Sequence, residues 1–531
     1  RSLSGTTMYS PYCWSFTTFP PSPYLVWSVP APDSTGVALD TAITASLSKE
    51  IDSSSVTPQS FSVSEGETVI AGALSVEGGE ISFLPSHDLS LETLYTVRLT
   101  TAISDLSGIG MASPYEWSFM TRGKIWQTPA LIETENTGDA ENLTLAVCGS
   151  GAAIAVWGQR DGSDMYIWAN HYDPDTGWGT AEIIQNSTTW SGAYPEVAMN
   201  DSGDAIAVWL QYDNGKGYVF ANNYTVGTGW GWAQQIDTGA QSASNPAIAM
   251  DASGNVIAAW EQWDGTYYNI HANRYDTVTG WSGAELIRSD SGNSLEPCVA
   301  TDAHGNTAVG WHGPQGSSSM VYVRQYISGS GWNTPIPLGG GDQIQVAMYG
   351  NRNIIAVWSA WDGIKHDLWS KTYAPGSGWG TSELVETCDE GDLCDPLLDS
   401  DDAGNAVVVW RQFDGLLWST WANIFTPGLG WTADTAVESD DENETNSPHA
   451  AIGPDGSAMA VWIQKHKTRM SVWSSLYAPE TGWGAAALVE TDNIGTADTP
   501  RVGMSSSGDA IAVWSQDDGT VKNIMAGQYT Y

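Results

Sequence analysis

From residue 125 onward, short apolar runs alternate with polar turns in one recurring order. Residues 246–260 read PAIAMDASGNVIAAW: an alternating stretch, a Ser-Gly turn, and a second apolar run closed by tryptophan. The same skeleton stands at 195–209 (PEVAMNDSGDAIAVW) and 500–514 (PRVGMSSSGDAIAVW). The closing tryptophan occurs eight times, as Trp157, Trp209, Trp260, Trp311, Trp358, Trp410, Trp462 and Trp514, at spacings of 52, 51, 51, 47, 52, 52 and 52 residues. Beyond it, a Gln-x-Asp-Gly type of turn leads to a third alternating run of the form Ile-Trp-Ala-Asn-x-Tyr. A loop ending in Gly-Trp then leads to a fourth, Trp-x-x-Ala-x-Leu-Ile-Glu. Period-two alternation predicts strands, and Asp-Gly between such runs predicts hairpins. Four strands recurring about every 50 residues predict propeller blades.

The phase of the repeats bears on closure. The Gly-Trp start of the fourth strand appears seven times after a third strand, at Trp178, Trp230, Trp281, Trp332, Trp379, Trp431 and Trp483. An eighth copy, WQTPALIE at 126–133, precedes every first strand, whereas the last repeat stops at Tyr529 to Tyr531 after its third strand. Pairing the two ends completes an eighth blade and removes edges that would otherwise invite aggregation. The expectation is an all-β chain in which residues 122–531 form an eight-bladed β-propeller, its ring closed by the N-terminal strand pairing with the last blade.

Residues 26–121 carry a different pattern. Short alternating segments at 42–47, 52–56, 81–85, 94–99 and 117–121, with turn residues between them, predict a β-sandwich. Residues 4–18 (SGTTMYSPYCWSFTT) match 107–121 (SGIGMASPYEWSFMT) in phase. Residues 1–25 are therefore expected to be the last strand of a preceding, truncated domain of the same kind, plus a linker.

Gly36-Val37, Ile43, Phe83-Leu84-Pro85, the YTVRLT strand at 95–100, Ser104-Asp105 with Gly108, and WSFMT at 117–121 resemble the Ig-like domains of bacterial S-layer and other surface proteins. That resemblance implies a spacer or stalk, further Ig-like domains N-terminal to this chain, and an extracellular or cell-surface bacterial location. In the repeats, Pro246, Asp251, Gly254, Ile257 and Trp260 resemble the blades of TolB-like propellers. This second resemblance speaks to fold alone, because such scaffolds host many functions.

Composition narrows the functions. Lys plus Arg total 19 against 61 Asp plus Glu, a formal charge of −42. Nucleic-acid binding depends on Lys and Arg neutralising phosphates, so it is excluded as a partner class, and an anionic membrane surface is disfavoured for the same reason. No apolar run is long enough to insert in a membrane. Of the five cysteines, Cys388 and Cys394 close a short acidic loop and form a disulfide candidate, while Cys13, Cys148 and Cys298 are expected to be buried apolar residues.

Aligning the repeats on the closing tryptophan separates scaffold from site. Columns filled alike in every repeat are packing. Three residues after the tryptophan the column is broken and holds four aromatics, Tyr212, Trp263, Trp361 and Phe413. On a hairpin face they are candidates for stacking on a sugar or anchoring a protein; the alternative is that each ring folds back on its own hairpin. Nine residues before the tryptophan another column is rich in carboxylates, which suits turn capping. Calcium is the functional alternative there and in the acidic loops, with Asp401, Asp402, Asp440 and Asp441 as candidate ligands. No other cofactor is expected. No Gly-x-Ser-x-Gly, His-Glu-x-x-His or phosphate loop occurs. The expected function is non-catalytic: a stalk presenting a propeller that binds glycan or protein. The alternatives are a carbohydrate-active enzyme with its site at the channel mouth, and a structural subunit of a surface layer or filament.

Overall fold

The computed structural model describes residues 21–530 except 67, 91, 136–137, 188–189, 240, 289–290, 388–390, 439–442 and 491–494. These residues fall into two compact units, divided along the chain between Lys124 and Ile125.

The first unit is a sandwich of two sheets. One holds Leu25–Val29, Ile43–Leu47, Glu80–Pro85 and Gly72–Glu77; the other holds Ser34–Val37, Tyr115–Thr121, Leu94–Leu99, Phe61–Glu65 and Thr68–Val69, in those spatial orders. Inward-facing residues of both sheets, among them Ile43, Phe61, Ile81, Tyr95, Val97 and Phe119, form one core. The stretch expected as a strand at 52–56 is instead a short 3₁₀ turn, Ser53–Ser55. The Asp52 carboxylate accepts from Ser54 N and so turns the chain before it can extend.

The second unit, Ile125–Thr530, is a series of similar sheets. Among the described residues there are eight, here numbered one to eight by their first strands: Ala140–Val147, Ser191–Met199, Ala243–Met250, Leu295–Thr301, Asp342–Tyr349, Leu393–Ser400, Thr445–Ile452 and Ala497–Met504. In sheet two the first strand pairs antiparallel with Ala205–Asp213, which pairs with Lys216–Thr225. The fourth position is where structure and expectation differ. It is two short pieces, Gly229–Trp230 and Gln234–Gln235, each pairing with the third strand. The turn at Gly229 (φ 87°) starts the first piece. In sheet eight the same two places are taken by Ile125–Trp126 and Ala130–Leu131, which pair with Lys522–Thr530.

Side chains explain the repetition. Each closing tryptophan is at most 2% exposed and packs against the preceding sheet. Trp514 shares a cluster with Val461, Ile463 and Val472 of sheet seven, and Trp157 shares one with Ile511, Val513 and Ile524 of sheet eight. In six sheets the indole N–H is satisfied by a glutamine two residues on, as in Trp260 to Gln262 at 3.0 Å. Farther out, the tyrosine or phenylalanine ending the third strand meets the Gly-Trp indole at 5.3–5.5 Å in every sheet, Tyr529 with Trp126 included. The first strand of each sheet packs against that of the next, and that of sheet eight against that of sheet one.

One slot beneath the fourth strand carries buried acids. In sheet one it holds Gln185, whose Oε1 accepts from Ile167 N while Nε2 donates to Ser187 O and Trp190 O. Sheet five places Glu386 there, accepting from Leu368 N at 2.7 Å, and sheet eight places Glu133, accepting from Ile524 N at 3.4 Å. The other carboxyl oxygen of each is buried with no partner among the described residues. Burial, with Asp367 adding repulsion, pushes Glu386 up to about 8; burial, with Asp518 adding repulsion, pushes Glu133 up to about 7. Protonation gives each the donor that Gln185 already has.

Two outcomes follow. Trp209→Ala should cost about 3–5 kcal/mol of unfolding free energy, read by urea denaturation, because no neighbour can refill the space between sheets one and two. A carboxyl whose folded pKa is raised contributes its stability below the unfolded value and loses it as pH climbs through the folded value. The protein should therefore lose stability between about pH 5 and pH 9, and Glu386→Gln should recover more than about 1 kcal/mol at the alkaline end in the same assay.

Candidate functional site

The first strand of every sheet breaks register against the second. The shifts fall between Glu141 and Thr144 in sheet one, Ala193 and Glu196 in sheet two, Ser244 and Ala247 in sheet three, and at the equivalent place in the other five. At the centre of each bulge stands a non-glycine residue with φ between 46° and 56°: Asn142, Tyr194, Asn245, Glu296, Gln343, Asp395, Ser447 and Thr499. Each lies fifteen residues before its closing tryptophan. A non-glycine residue held left-handed costs about 1–3 kcal/mol, and such positions concentrate where function demands them. Six of the eight precede a proline, which lacks a ladder N–H and is tolerated in a strand at such a bulge.

These bulges converge. Seven of the eight residues, from Tyr194 to Thr499, line a cavity of about 640 Å³ between the first strands, together with the deeper Glu196, Cys298, Gln345 and Arg501. Residues from behind hold several of the rim side chains. Glu261, 3% exposed, accepts from Ser244 Oγ at 2.8 Å, Asn245 Nδ2 at 2.7 Å and Glu296 N at 2.8 Å. His312 Nδ1 lies 3.4 Å from Glu296 Oε2 and holds that carboxyl below its ordinary value. Arg411 approaches Asp395 at 3.7 Å. Glu261, His312 and Arg411 each follow a closing tryptophan directly; sheets one, two, five, seven and eight place Gly158, Leu210, Ser359, Ile463 and Ser515 there.

The deeper ring, thirteen residues before the tryptophan, is polar on one side. Thr144 Oγ1 donates to Glu196 Oε2 at 3.2 Å. Glu196 opens onto the cavity yet is walled by protein, and this burial raises its carboxyl against the opposing pull of Arg501 and the Thr144 hydrogen bond. His449 is pushed down to about 3 by burial, then by the Arg501 charge, so it is neutral. Its Nδ1 accepts from Val502 N at 3.4 Å. The arrangement offers acceptors (Glu196, Glu296, Asp395), amides (Asn245, Gln343, Gln345), hydroxyls and an aromatic ring, Tyr194, that is 55% exposed.

The residues singled out from the sequence lie elsewhere. Tyr212, Trp263, Trp361 and Phe413 stand at the same end of the sheets, on the hairpins one strand farther out. Three meet their cross-strand partner: Trp263 with Tyr268 at 5.1 Å, Trp361 with His366 at 5.0 Å and Phe413 with Trp418 at 5.7 Å. Tyr212 packs between sheets two and three, and Trp361 is the most exposed of the four at 57%. The carboxylate column sits at the opposite end and caps turns. Asp401 accepts from Asn405 N at 2.8 Å and Nδ2 at 2.7 Å, and Asp251 and Asp302 do likewise with Asn255 and Asn306. Asp402 lines a second cavity there, of about 430 Å³. Asp440, Asp441 and Cys388 lie outside the described residues, and Cys394 directs its thiol to Asp395. Among the described residues, no three His, Cys, Asp or Glu side chains are grouped to hold a metal ion. The bulge residues were visible as the varied neighbours of a recurring proline, a signal that the turn and hairpin columns outweighed.

Residues 21–121 match the family model of a bacterial Ig-like domain. No curated protein matches the chain. Among solved structures, a protein of unknown function from Dyadobacter fermentans is 15% identical over 65% of this chain and 96% of its own, with a TM-score of 0.39. A polysaccharide lyase, ulvan lyase bound to -[GlcA(1-4)Rha3S]-, is 9% identical over 76% and 95%, with a TM-score of 0.44. A lectin from the fungus Aleuria aurantia, a six-bladed β-propeller with a fucose recognition mode, is 15% identical over 57% and 96%, with a TM-score of 0.34. The repeated four-position sheets resemble such propellers, and at these TM-scores the likeness carries no argument about function. No helix among the described residues is long and apolar enough to cross a membrane.

Glu261→Ala leaves three donors unmet and should cost about 2–4 kcal/mol in urea denaturation. Ile463, at the equivalent position of sheet seven, holds no rim residue but packs in the core, so Ile463→Ala should cost about 2–5 kcal/mol through the cavity it leaves, with the rim hydrogen bonds kept.

Proposed function

We propose that this chain is the ligand-binding part of an extracellular or surface-displayed bacterial protein, in which the Ig-like unit is a spacer and the repeat unit is a closed eight-bladed propeller. Support for closure comes from three places: the pairing of Ile125–Trp126 and Ala130–Leu131 with Lys522–Thr530, the cluster joining Trp157 to sheet eight, and the packing of the last first strand on the first. Each sheet is open, so the closure is one of packing between sheets.

The ligand of this reading is a glycan held at the bulge end. The observation that carries it is the cavity of about 640 Å³, ringed by seven strained residues, each of a different type, while the scaffold around them repeats. Carboxylates, amides and hydroxyls match sugar hydroxyls, and an exposed tyrosine offers a face for a pyranose ring. A second reading, glycan cleavage, draws on two carboxyls in one cavity with environments that push them apart, Glu196 upward and Glu296 downward.

A glycan array probed with the whole chain tests both. Binding should appear and should fall by about tenfold or more in Tyr194→Ala, a loss of at least 1.4 kcal/mol, while Trp361→Ala, out on its hairpin, should change little. Absence of binding to every glycan contradicts the proposal. Release of new reducing ends by the wild type, lost in Glu196→Gln, selects the enzymatic reading.

A further inference from the structure

Arg501 is the one arginine that lines the cavity of about 640 Å³ among the described residues, and its donors are mostly unspent. One terminal nitrogen donates to Pro500 O at 3.0 Å. No carboxylate among the described residues lies within 4 Å of it; Glu196 acts on it only through its field. A guanidinium carries five N–H donors in a fixed planar fork and cannot be neutralised by losing a proton. In a cavity wall such a group demands an acceptor, and surrounding burial makes hydration a poor substitute. The neighbouring histidine does not compete: His449 is neutral and spends Nδ1 on Val502 N. Elsewhere on the rim stand Asn245, Gln343 and Ser447, which suit hydroxyls rather than charge.

Building on the glycan reading of this same cavity, we infer that its ligand is an acidic sugar, a residue whose carboxylate is taken bidentately by Arg501 while the ring hydroxyls meet the rim. The planar fork matches a planar carboxylate in shape and charge, which is the geometry Arg supplies and Lys does not. Glu196 lines the same cavity and feels the Arg501 charge. Burial raises the affinity of Glu196 for a proton, and its protonation removes a repulsion from the ligand carboxylate, so binding should strengthen as pH falls through its titration. The charged group that acts on Glu196 is Arg501 from sheet eight, and Thr144 donates to it from sheet one; Glu296 and Asp395 line the same cavity from sheets four and six.

The experiment is titration calorimetry of the whole chain with galacturonate or glucuronate oligosaccharides and with their neutral galactose or glucose counterparts. The wild type should prefer the acidic series by about tenfold or more. Arg501→Gln should erase that preference while leaving neutral-sugar affinity within about threefold, and Arg501→Lys should restore only part of it. A thermal melt of each variant shows that it is folded. Equal affinity for the two series in the wild type, or equal loss of both in Arg501→Gln, overturns the inference and leaves glycan binding standing. Binding of neither series overturns the inference, and the glycan array then decides the reading beneath it.

Discussion

The eight buried tryptophans set the distance between successive sheets, and most of the repeat unit follows from that distance. Each indole spans the gap between its own second strand and the preceding sheet, buried to 2% exposure or less. Its N–H needs an acceptor in that dry space, and in six sheets a glutamine on the same strand supplies it. With the gap fixed, the small residues two places before the indole on the same strand, such as Ala207, Ala258 and Ala512, are the size that fits. The last sheet has the same need for a fourth strand as the others, and residues 125–131 meet it from the other end of the repeat unit.

Packing so repetitive leaves little room for chemistry in the interior. The first strands are the exception, because their inner edges have no further strand to pair with. There the chain steps out of register once per sheet, turning a side chain toward the space the strands share. Eight left-handed residues at about 1–3 kcal/mol each are a considerable cost for a unit that could have run straight. Glu261, His312 and Arg411 show the same investment from behind, since each holds a rim residue in place. Preorganisation of this kind favours binding by removing the entropy of ordering the rim.

Much of the scaffold is legible in the sequence because packing demands identical answers at equivalent places. The tryptophan, tyrosine and Gly-Trp columns, the Asp-Gly hairpins and the displaced fourth strand all follow from that. The division of the fourth strand was not legible: the residues between Trp230 and Gln234 alternate no differently from their neighbours. Nor was the turn at Ser53–Ser55, where one Asp52 hydrogen bond outweighs the local pattern. The site was hidden for a deeper reason. A residue before proline is ordinarily extended, so Tyr194, Asn245 and Glu296 read as the approach to a strand opening at the proline, whereas the strands begin at Ser191, Ala243 and Leu295 and bulge there. The outer aromatics drew attention because exposed rings on hairpins look like binding residues, yet Trp263 and Phe413 find their partners across their own hairpins.

The central claim is that function resides at the bulge end, in the residues that break the repeat. Amide hydrogen exchange, with and without a saturating glycan that the chain binds, tests it most directly. The account predicts added protection at 194–196, 245–247, 296–298 and 499–501. Protection confined to the opposite end, around Asp251, Asp302 and Asp401, or to the Ig-like unit, would contradict it.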